Sequence, residues 1–209
     1  MIGLVLPVLI LFLVFYIWLS VKIVRSAVNY SKEVGGNHVL AGWGAGIFMY
    51  SLILWDFIPT HAMHQYYCAT EGGFTVYKSL EQWKQENPGV AETLTPIDRG
   101  PWIKKGNLTQ VPLNQRFTWE FESSIHPLKI HERDERLIDS KTGEVLARYV
   151  DFNTGVGNPL VADDSLRDYK WWLKVNTCES GNKKRTRPQK YQFNRQMTLF
   201  KFLYQKEYN

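Results

Sequence analysis

The chain has 209 residues, 44% of them hydrophobic, and a formal net charge of +5 at pH 7, so its length allows one ordinary domain beside an anchor. Its mean hydropathy of −0.28 hides a strong asymmetry, because positions 1–21 and 39–55 contain no charged residue. That asymmetry excludes a water-soluble domain over the first 58 residues. The sequence also lacks the phosphate-binding loop, nucleophile-elbow and zinc-protease motifs, which gives no support to those enzyme classes.

The first apolar segment, Ile2–Val21, predicts a transmembrane helix, because about 20 apolar residues cross the roughly 30 Å hydrocarbon layer. A cleavable signal peptide is the alternative, and it would need a basic start, a shorter apolar run and a small-residue cleavage site. No Lys or Arg precedes Lys22, so an uncleaved helix is favoured. Pro7 falls in the first turns, where its missing N–H costs least.

A second apolar segment, His38–Ile58, predicts the other helix of a transmembrane hairpin over residues 1–58, with Pro59 ending it. Within it, Gly42 and Gly46 have the spacing that lets another helix approach closely in lipid. That other helix is either the protein's own first helix or a helix of a partner.

The loop between the two segments predicts the orientation. It carries three basic residues and one acidic residue: Lys22, Arg25, Lys32 and Glu33. Short loops rich in Lys and Arg stay in the cytoplasm. Residues 59–72 are therefore expected to form a stem outside the cytoplasm, followed by an exported domain over residues 73–209, which in a bacterium lies in the periplasm.

The two cysteines, Cys68 and Cys178, both follow the second apolar segment. An oxidising compartment favours a disulfide between them, which would close a loop of 110 residues. In the chain-entropy model such a bridge contributes roughly 4–5 kcal/mol. Two unrelated buried thiols are the alternative.

The remaining sequence predicts an α+β fold, with a mainly antiparallel sheet and one short helix. A strand is expected over Gly73–Lys78, and Ser79 with Gln82 forms a capping-box pattern for a helix that stops at Pro88. The clearest hairpin turns at Gly143, which can take the left-handed conformation such a loop needs. The other expected elements are strands at 117–122, 128–138, 144–153 and 169–177, an irregular loop at 91–115, and a helical turn at 163–168. Residues 191–204 fit either a strand or a helix, and a strand is favoured as far as residue 198.

His61, His64 and Cys68 lie at H-x-x-H-x-x-x-C spacing just outside the second segment. On a continuous helix these side chains would share a face, and their types bind zinc, copper or haem iron. Against this interpretation, Pro59 is expected to break the helix and Cys68 is used in a disulfide. The favoured interpretation is that these histidines belong to a stem and lie among lipid headgroups. No metal or cofactor is therefore expected.

Two further histidines, His126 and His131, and the charged run 132–136 suggest acid–base chemistry. Such chemistry needs the groups to converge in a pocket. The favoured interpretation is that these side chains alternate along a strand, face water and pair with opposite charges across the sheet.

Adjacent Trp171 and Trp172 would point to opposite faces of a strand, so one of them is a candidate interface residue. The chain from Arg167 onward holds 11 basic and 3 acidic residues, with its densest run at 183–187. Such a basic segment can bind nucleic acid, anionic lipid or an acidic partner. The alternative is a loop that is exposed to water. The solvated loop is favoured, and no nucleic-acid partner is expected.

The stretch Tyr66–Val90 combines a Cys, an acidic-Gly turn, an aromatic strand and a Tyr-Lys pair before a helix. It resembles a segment of small uncharacterised exported or membrane-anchored proteobacterial proteins. This resemblance implies a bacterial envelope setting and no activity.

Two hypotheses follow from these features. The first is a membrane-anchored accessory or interaction subunit of an envelope complex, whose partners are the bilayer and other membrane or envelope proteins. The second is a metal- or redox-linked membrane enzyme subunit that uses His61 and His64.

Overall fold

The computed structural model describes residues 2–98, 100–156, 170–175, 177–178 and 188–203. Within these ranges the chain forms five α-helices and a six-stranded antiparallel sheet, so the predicted α+β class is confirmed. The described residues divide into two compact units. The first contains the two N-terminal helices and residues 170–172, and the second contains residues 60–156 and the described residues from Leu173 onward.

Helix α1 (Ile2–Glu33) and helix α2 (His38–Leu54) form most of the first unit. The Tyr16 hydroxyl donates a hydrogen bond to the Met49 carbonyl, so the two helices lie side by side. The segment expected to be a loop at 22–38 is helical up to Glu33. Asn37 caps α2, because its side-chain oxygen accepts hydrogen bonds from the N–H groups of Val39 and Leu40.

One described segment, Ile10–Glu33 of α1, is long and apolar enough to cross a membrane. A helix of this kind near the N-terminus is either a membrane anchor or a signal sequence. Helix α2 passes the same test only together with α3 (Phe57–Thr70), and this bent pair is either a broken span or a re-entrant loop.

The second apolar helix ends earlier than expected, because α2 stops at Leu54 and α3 begins at Phe57. Pro59 does not end a helix but lies in the first turn of α3. The first N–H groups of a helix have no intrahelical acceptor, so a proline there removes no hydrogen bond. The stretch expected to be a stem is consequently helical as far as Thr70.

The sheet has the strand order β1-β6-β5-β4-β3-β2 with every neighbouring pair antiparallel. The hairpin of β5 and β6 forms as predicted, with Gly143 at φ 75° in its turn. The short hairpin of β2 and β3 was not predicted, and Gly106 turns it at φ 64°. The strand bounds are β1 Gly73–Val76, β2 Ile103–Lys105, β3 Leu108–Pro112, β4 Phe117–His126, β5 Ile130–Asp139 and β6 Val145–Asn153.

Two C-terminal predictions were wrong. Residues 191–198 belong to helix α5 (Gln189–Phe202), in which Phe193 and Phe200 are fully buried. The expected strand at 169–177 is instead a 3₁₀ turn over Trp171–Leu173. The expected helical turn at 163–168 and the basic run at 183–187 lie outside the described residues.

Helix α4 (Leu80–Glu86) starts at the predicted Ser79–Gln82 capping box. Helices α4 and α5 pack on one face of the sheet. Their side chains and those of the strands form the main core of the second unit. Burial of each fully enclosed Phe or Leu side chain stabilises the fold by about 1.5–3 kcal/mol. The largest fully buried side chains of this core are those of Trp83, Phe117, Leu137, Leu146, Phe193 and Phe200.

The opposite face of the sheet is mostly polar, with a small apolar cluster at one end. There Ile130, Val150 and Phe152 are buried. Side chains of α3 pack against them, including Met63 and Tyr67. This end of the sheet brings histidine and cysteine side chains close together.

Candidate functional site

Helix α3 places His64 and Cys68 one turn apart on the same face. Cys68 is bonded to Cys178, with their Cα atoms 5.4 Å apart, so the structure joins the pair expected from the sequence. The Cys178 N–H donates to Asp151 Oδ1 over 2.9 Å, which fixes the second cysteine against β6. At Gly72 a side-chain Cβ would lie 3.0 Å from Cys68 backbone atoms and 3.2 Å from Cys178 Sγ. The bridge therefore needs glycine at position 72.

His64 is buried, with 5% of its surface exposed. Its Nε2 lies 3.0 Å from the Phe152 carbonyl oxygen, a distance at which Nε2–H donates to that oxygen. The Cys68 sulfur lies 3.6 Å from Nε2 and 3.8 Å from Nδ1 of the same ring. His64 thus stands beside the disulfide, held by a strand that is 88 residues away in sequence.

Among the described residues, the donor atoms of His64, Cys68 and Cys178 form a group that lies within 4.8 Å. His61, which the sequence paired with His64, is not a member of that group. The prediction that Pro59 would break the helix before these residues was wrong. His64 and Cys68 consequently lie on one continuous helix, one turn apart.

A second polar cluster lies on the same face of the sheet, between β4 and β5. His126 Nε2 is 2.7 Å from Glu132 Oε2, and the Ser124 hydroxyl donates to the same carboxylate over 2.8 Å. Tyr67 of α3 covers His126, with ring centroids 4.8 Å apart, and stacks on Phe152.

This cluster does not have the geometry of a catalytic triad. Ser124 Oγ is 3.4 Å from Nε2 of His126, the nitrogen that Glu132 already occupies. A triad needs the carboxylate on one ring nitrogen and the nucleophile on the other. His131 lies on the other face of β5 and next to Gly155, where a Cβ would be 2.7 Å from its ring. The two histidines singled out in the sequence therefore do not converge.

Two carboxylates of the charged run are buried, although the run was expected to face water. Glu135 has no exposed surface, and it binds Lys190 of α5, Arg133 and the Trp119 indole N–H. Burial lowers the pKa of Lys190, and the hydrogen bond to Glu135 opposes this change. Helix α5 covers this face of the sheet, over a segment for which a strand was the favoured interpretation.

Asp134 points to the opposite face of β5, where Arg136 and Arg148 hold it. Burial alone would raise the pKa of Asp134, but the hydrogen bonds from Arg148 and Arg136 outweigh it and lower that pKa. The two arginines, with Tyr77 and Val145, line an open depression of about 500 Å³. Asp134 already neutralises part of their charge, so the depression carries no clear preference for an anion.

The candidate interface residues Trp171 and Trp172 differ in environment. Trp171 is 64% exposed, whereas Trp172 Nε1 lies 3.4 Å from Asp56 Oδ1. Asp56 is nearly buried and also binds Lys170 Nζ over 2.7 Å. Within the first unit, the break after α2 is therefore fixed by a charged contact and an indole.

No protein family, curated protein or solved structure matches the chain. Its function is consequently argued from these residues.

Proposed function

We propose that the chain is a membrane-anchored accessory or interaction subunit of a bacterial envelope complex. A two-helix transmembrane hairpin would hold it in the inner membrane, with the sheet domain in the periplasm. The proposal rests on one observation, the continuous exposed apolar surface of α1 and α2. The exposed side chains include Leu11, Phe12, Phe15, Ile17, Trp18, Leu40, Trp43, Ile47 and Phe48.

Soluble proteins rarely expose an apolar surface that extends over two neighbouring helices, whereas the hydrocarbon core of a bilayer would cover it. Helix α2 has 17 residues and therefore measures about 25 Å, at the short end of the range for a membrane span. Trp55 directly follows its last residue and is 59% exposed, as expected for an aromatic ring at headgroup level.

Two features support the proposed orientation. The C-terminal part of α1 carries Lys22, Arg25 and Lys32, which favour the cytoplasmic side for that end of the helix. The Cys68–Cys178 bridge favours an oxidising compartment for the domain that follows. The resemblance of Tyr66–Val90 to exported proteobacterial proteins points to the same setting.

Labelling of single introduced cysteines tests this topology. A thiol at position 34, from Val34→Cys in the turn between α1 and α2, should be shielded from a membrane-impermeant reagent in intact cells. A thiol at position 141, from Lys141→Cys in the exposed β5–β6 turn, is the matched control and should react. Labelling at 34 without labelling at 141 would contradict the periplasmic placement.

The role as a subunit is supported by the glycines of α2. A Cβ at Gly42 would lie 3.0 Å from the Val28 side chain of α1, so this glycine serves packing within the protein. Gly44 and Gly46 have nothing within 4 Å of the position of a Cβ. Since glycine lowers helix stability by up to about 1 kcal/mol relative to alanine, we infer that these two leave room for a partner helix.

Separate leucine substitutions at Gly42 and Gly46 distinguish packing within the protein from contact with a partner helix. Gly42→Leu should lower thermal stability in detergent, because it forces α1 and α2 apart. Gly46→Leu should leave stability unchanged or slightly higher, since leucine is the better helix former, and should weaken co-purification of envelope proteins at least several-fold. Unchanged co-purification with Gly46→Leu would contradict an interface on this face of α2.

A further inference from the structure

The disulfide between Cys68 and Cys178 differs from an ordinary structural disulfide, because the buried imidazole of His64 contacts it. His64, Cys68 and Cys178 offer one nitrogen and two sulfur atoms within 4.8 Å of one another. We propose that these residues form a redox-gated site for Cu(I), closed while Cys68 and Cys178 are bonded and open when the bond is reduced. The site does not depend on the membrane topology or on a protein partner.

His64 already has a tautomer that suits a metal ligand. Its Nε2–H donates to the Phe152 carbonyl, which leaves the Nδ1 lone pair as its free donor. Histidines that bind metals usually donate their second N–H to a backbone carbonyl or a carboxylate in this way. The hydrogen bond fixes the tautomer and keeps the ring next to the cysteines.

The separations suit one small ion. An ion about 2.0 Å from nitrogen and about 2.3 Å from sulfur places those two ligands about 3.5–3.7 Å apart. The Cys68 sulfur already lies 3.8 Å from Nδ1 of His64.

The chemistry of the step requires a dithiol reductant. One dithiol is oxidised to its disulfide and passes two electrons and two protons to the bridge, which yields the thiols of Cys68 and Cys178. Binding of Cu(I) then releases both protons, because the thiolate form is the ligand. While the disulfide is intact, neither sulfur is a thiolate and the site offers His64 alone.

The donor set favours Cu(I) over zinc. Thiolates and imidazole are soft or borderline ligands that suit Cu(I). A structural zinc site has four protein ligands, and zinc held by three protein ligands needs a water in the fourth position. In the part of the chain that the structure describes, the group contains no fourth His, Cys, Asp or Glu.

The test uses the full chain in detergent, reduced with dithiothreitol and desalted without oxygen. Cu(I) is titrated in competition with a chromophoric Cu(I) chelator, and Zn(II) is titrated in parallel. We expect one Cu(I) per reduced chain, a thiolate-to-copper absorption band in the ultraviolet, and at least tenfold weaker binding by the oxidised chain. His64→Gln should lower the Cu(I) affinity at least tenfold, whereas His61→Gln, one turn earlier on α3, should leave it unchanged.

Several outcomes would overturn the proposal. These are equal Cu(I) affinity of the His64→Gln and unsubstituted chains, equal affinity of the reduced chain and the Cys68→Ser/Cys178→Ser variant, or tighter binding of Zn(II) than of Cu(I). If reduction alone unfolds the chain, the far-ultraviolet circular dichroism provides the measurement. Cu(I) should then restore the folded spectrum in the unsubstituted and His61→Gln chains but not in His64→Gln, and failure to restore it in the unsubstituted chain would overturn the site.

Discussion

Asp139→Ala is expected to lower the free energy of unfolding of the sheet domain by about 3–5 kcal/mol, the range observed when one partner of a buried ion pair is removed. Asp139 is 1% exposed and its carboxylate accepts three hydrogen bonds. The donors are Arg116 Nε at 2.6 Å, Trp83 Nε1 at 3.0 Å and the Lys141 N–H at 3.0 Å. Alanine would leave the buried Arg116 charge and the buried indole N–H of Trp83 without their acceptor.

Urea unfolding of the full chain in detergent, followed by tryptophan fluorescence, measures this effect. Asp98→Ala is the matched control, because the side chain of Asp98 is 89% exposed and its removal should change stability by less than about 0.5 kcal/mol. The double variant Arg116→Ala/Asp139→Ala should lose less stability than the sum of the losses in the two single variants, since both substitutions remove the same ion pair. A strictly additive result would show that the two side chains do not act as a pair.

The same variant should show a defined pH dependence. Burial alone would raise the pKa of Asp139, but the hydrogen bonds from Arg116 and Trp83 outweigh it and lower that pKa below 3.8. A carboxylate with a lowered pKa in the folded state stabilises the fold above its unfolded pKa and loses that contribution as the pH falls through its folded pKa. The stability difference between the unsubstituted chain and Asp139→Ala should therefore be full at pH 7 and shrink below about pH 4.

Local signals in the sequence were sufficient where an element is specified by its own residues. The β5–β6 hairpin combines alternating side chains with Gly143 at its turn, and α4 is specified by the Ser79–Gln82 capping box. Both elements form where they were expected. The short strands β2 and β3 were missed because three and five residues carry too little alternation to be distinguished from a loop.

A strand was favoured over a helix for much of α5 because its sequence is rich in aromatic residues that also suit strands. The spacing of Phe193, Met197 and Phe200, by four and then three residues, was the available signal for a helix. This error had a consequence for the site. Without a covering helix, Glu135 was expected to face water, whereas Lys190 of α5 pairs with it in the interior.

The candidate site was predictable only in part. The pairing of Cys68 with Cys178 follows from their position after the apolar segments, and the structure places them together. The role of His64 depends on a hydrogen bond to Phe152, which lies 88 residues further along the chain. No local pattern specifies that contact. The register of β6 against β5 and the continuation of α3 past Pro59 create it.

Removal of the disulfide should have the other large effect on stability. The bridge closes a loop of 110 residues, for which the chain-entropy model gives about 4–5 kcal/mol. It joins α3 to the segment after β6 beside the buried Phe152 and Val150, so its loss also loosens the apolar cluster at that end of the sheet. We expect the Cys68→Ser/Cys178→Ser variant to unfold at a clearly lower urea concentration than the unsubstituted chain.

The unsubstituted chain supplies the control for this experiment. Dithiothreitol without added metal should shift its unfolding by the same amount as the double substitution, whereas the variant should not respond to the reductant. If the variant loses less than about 1 kcal/mol, the bridge adds little to the cluster around Phe152 and is not needed to hold the fold. The chain would then stay folded with both thiols free, which is the state in which Cu(I) binding at His64 can be measured without refolding.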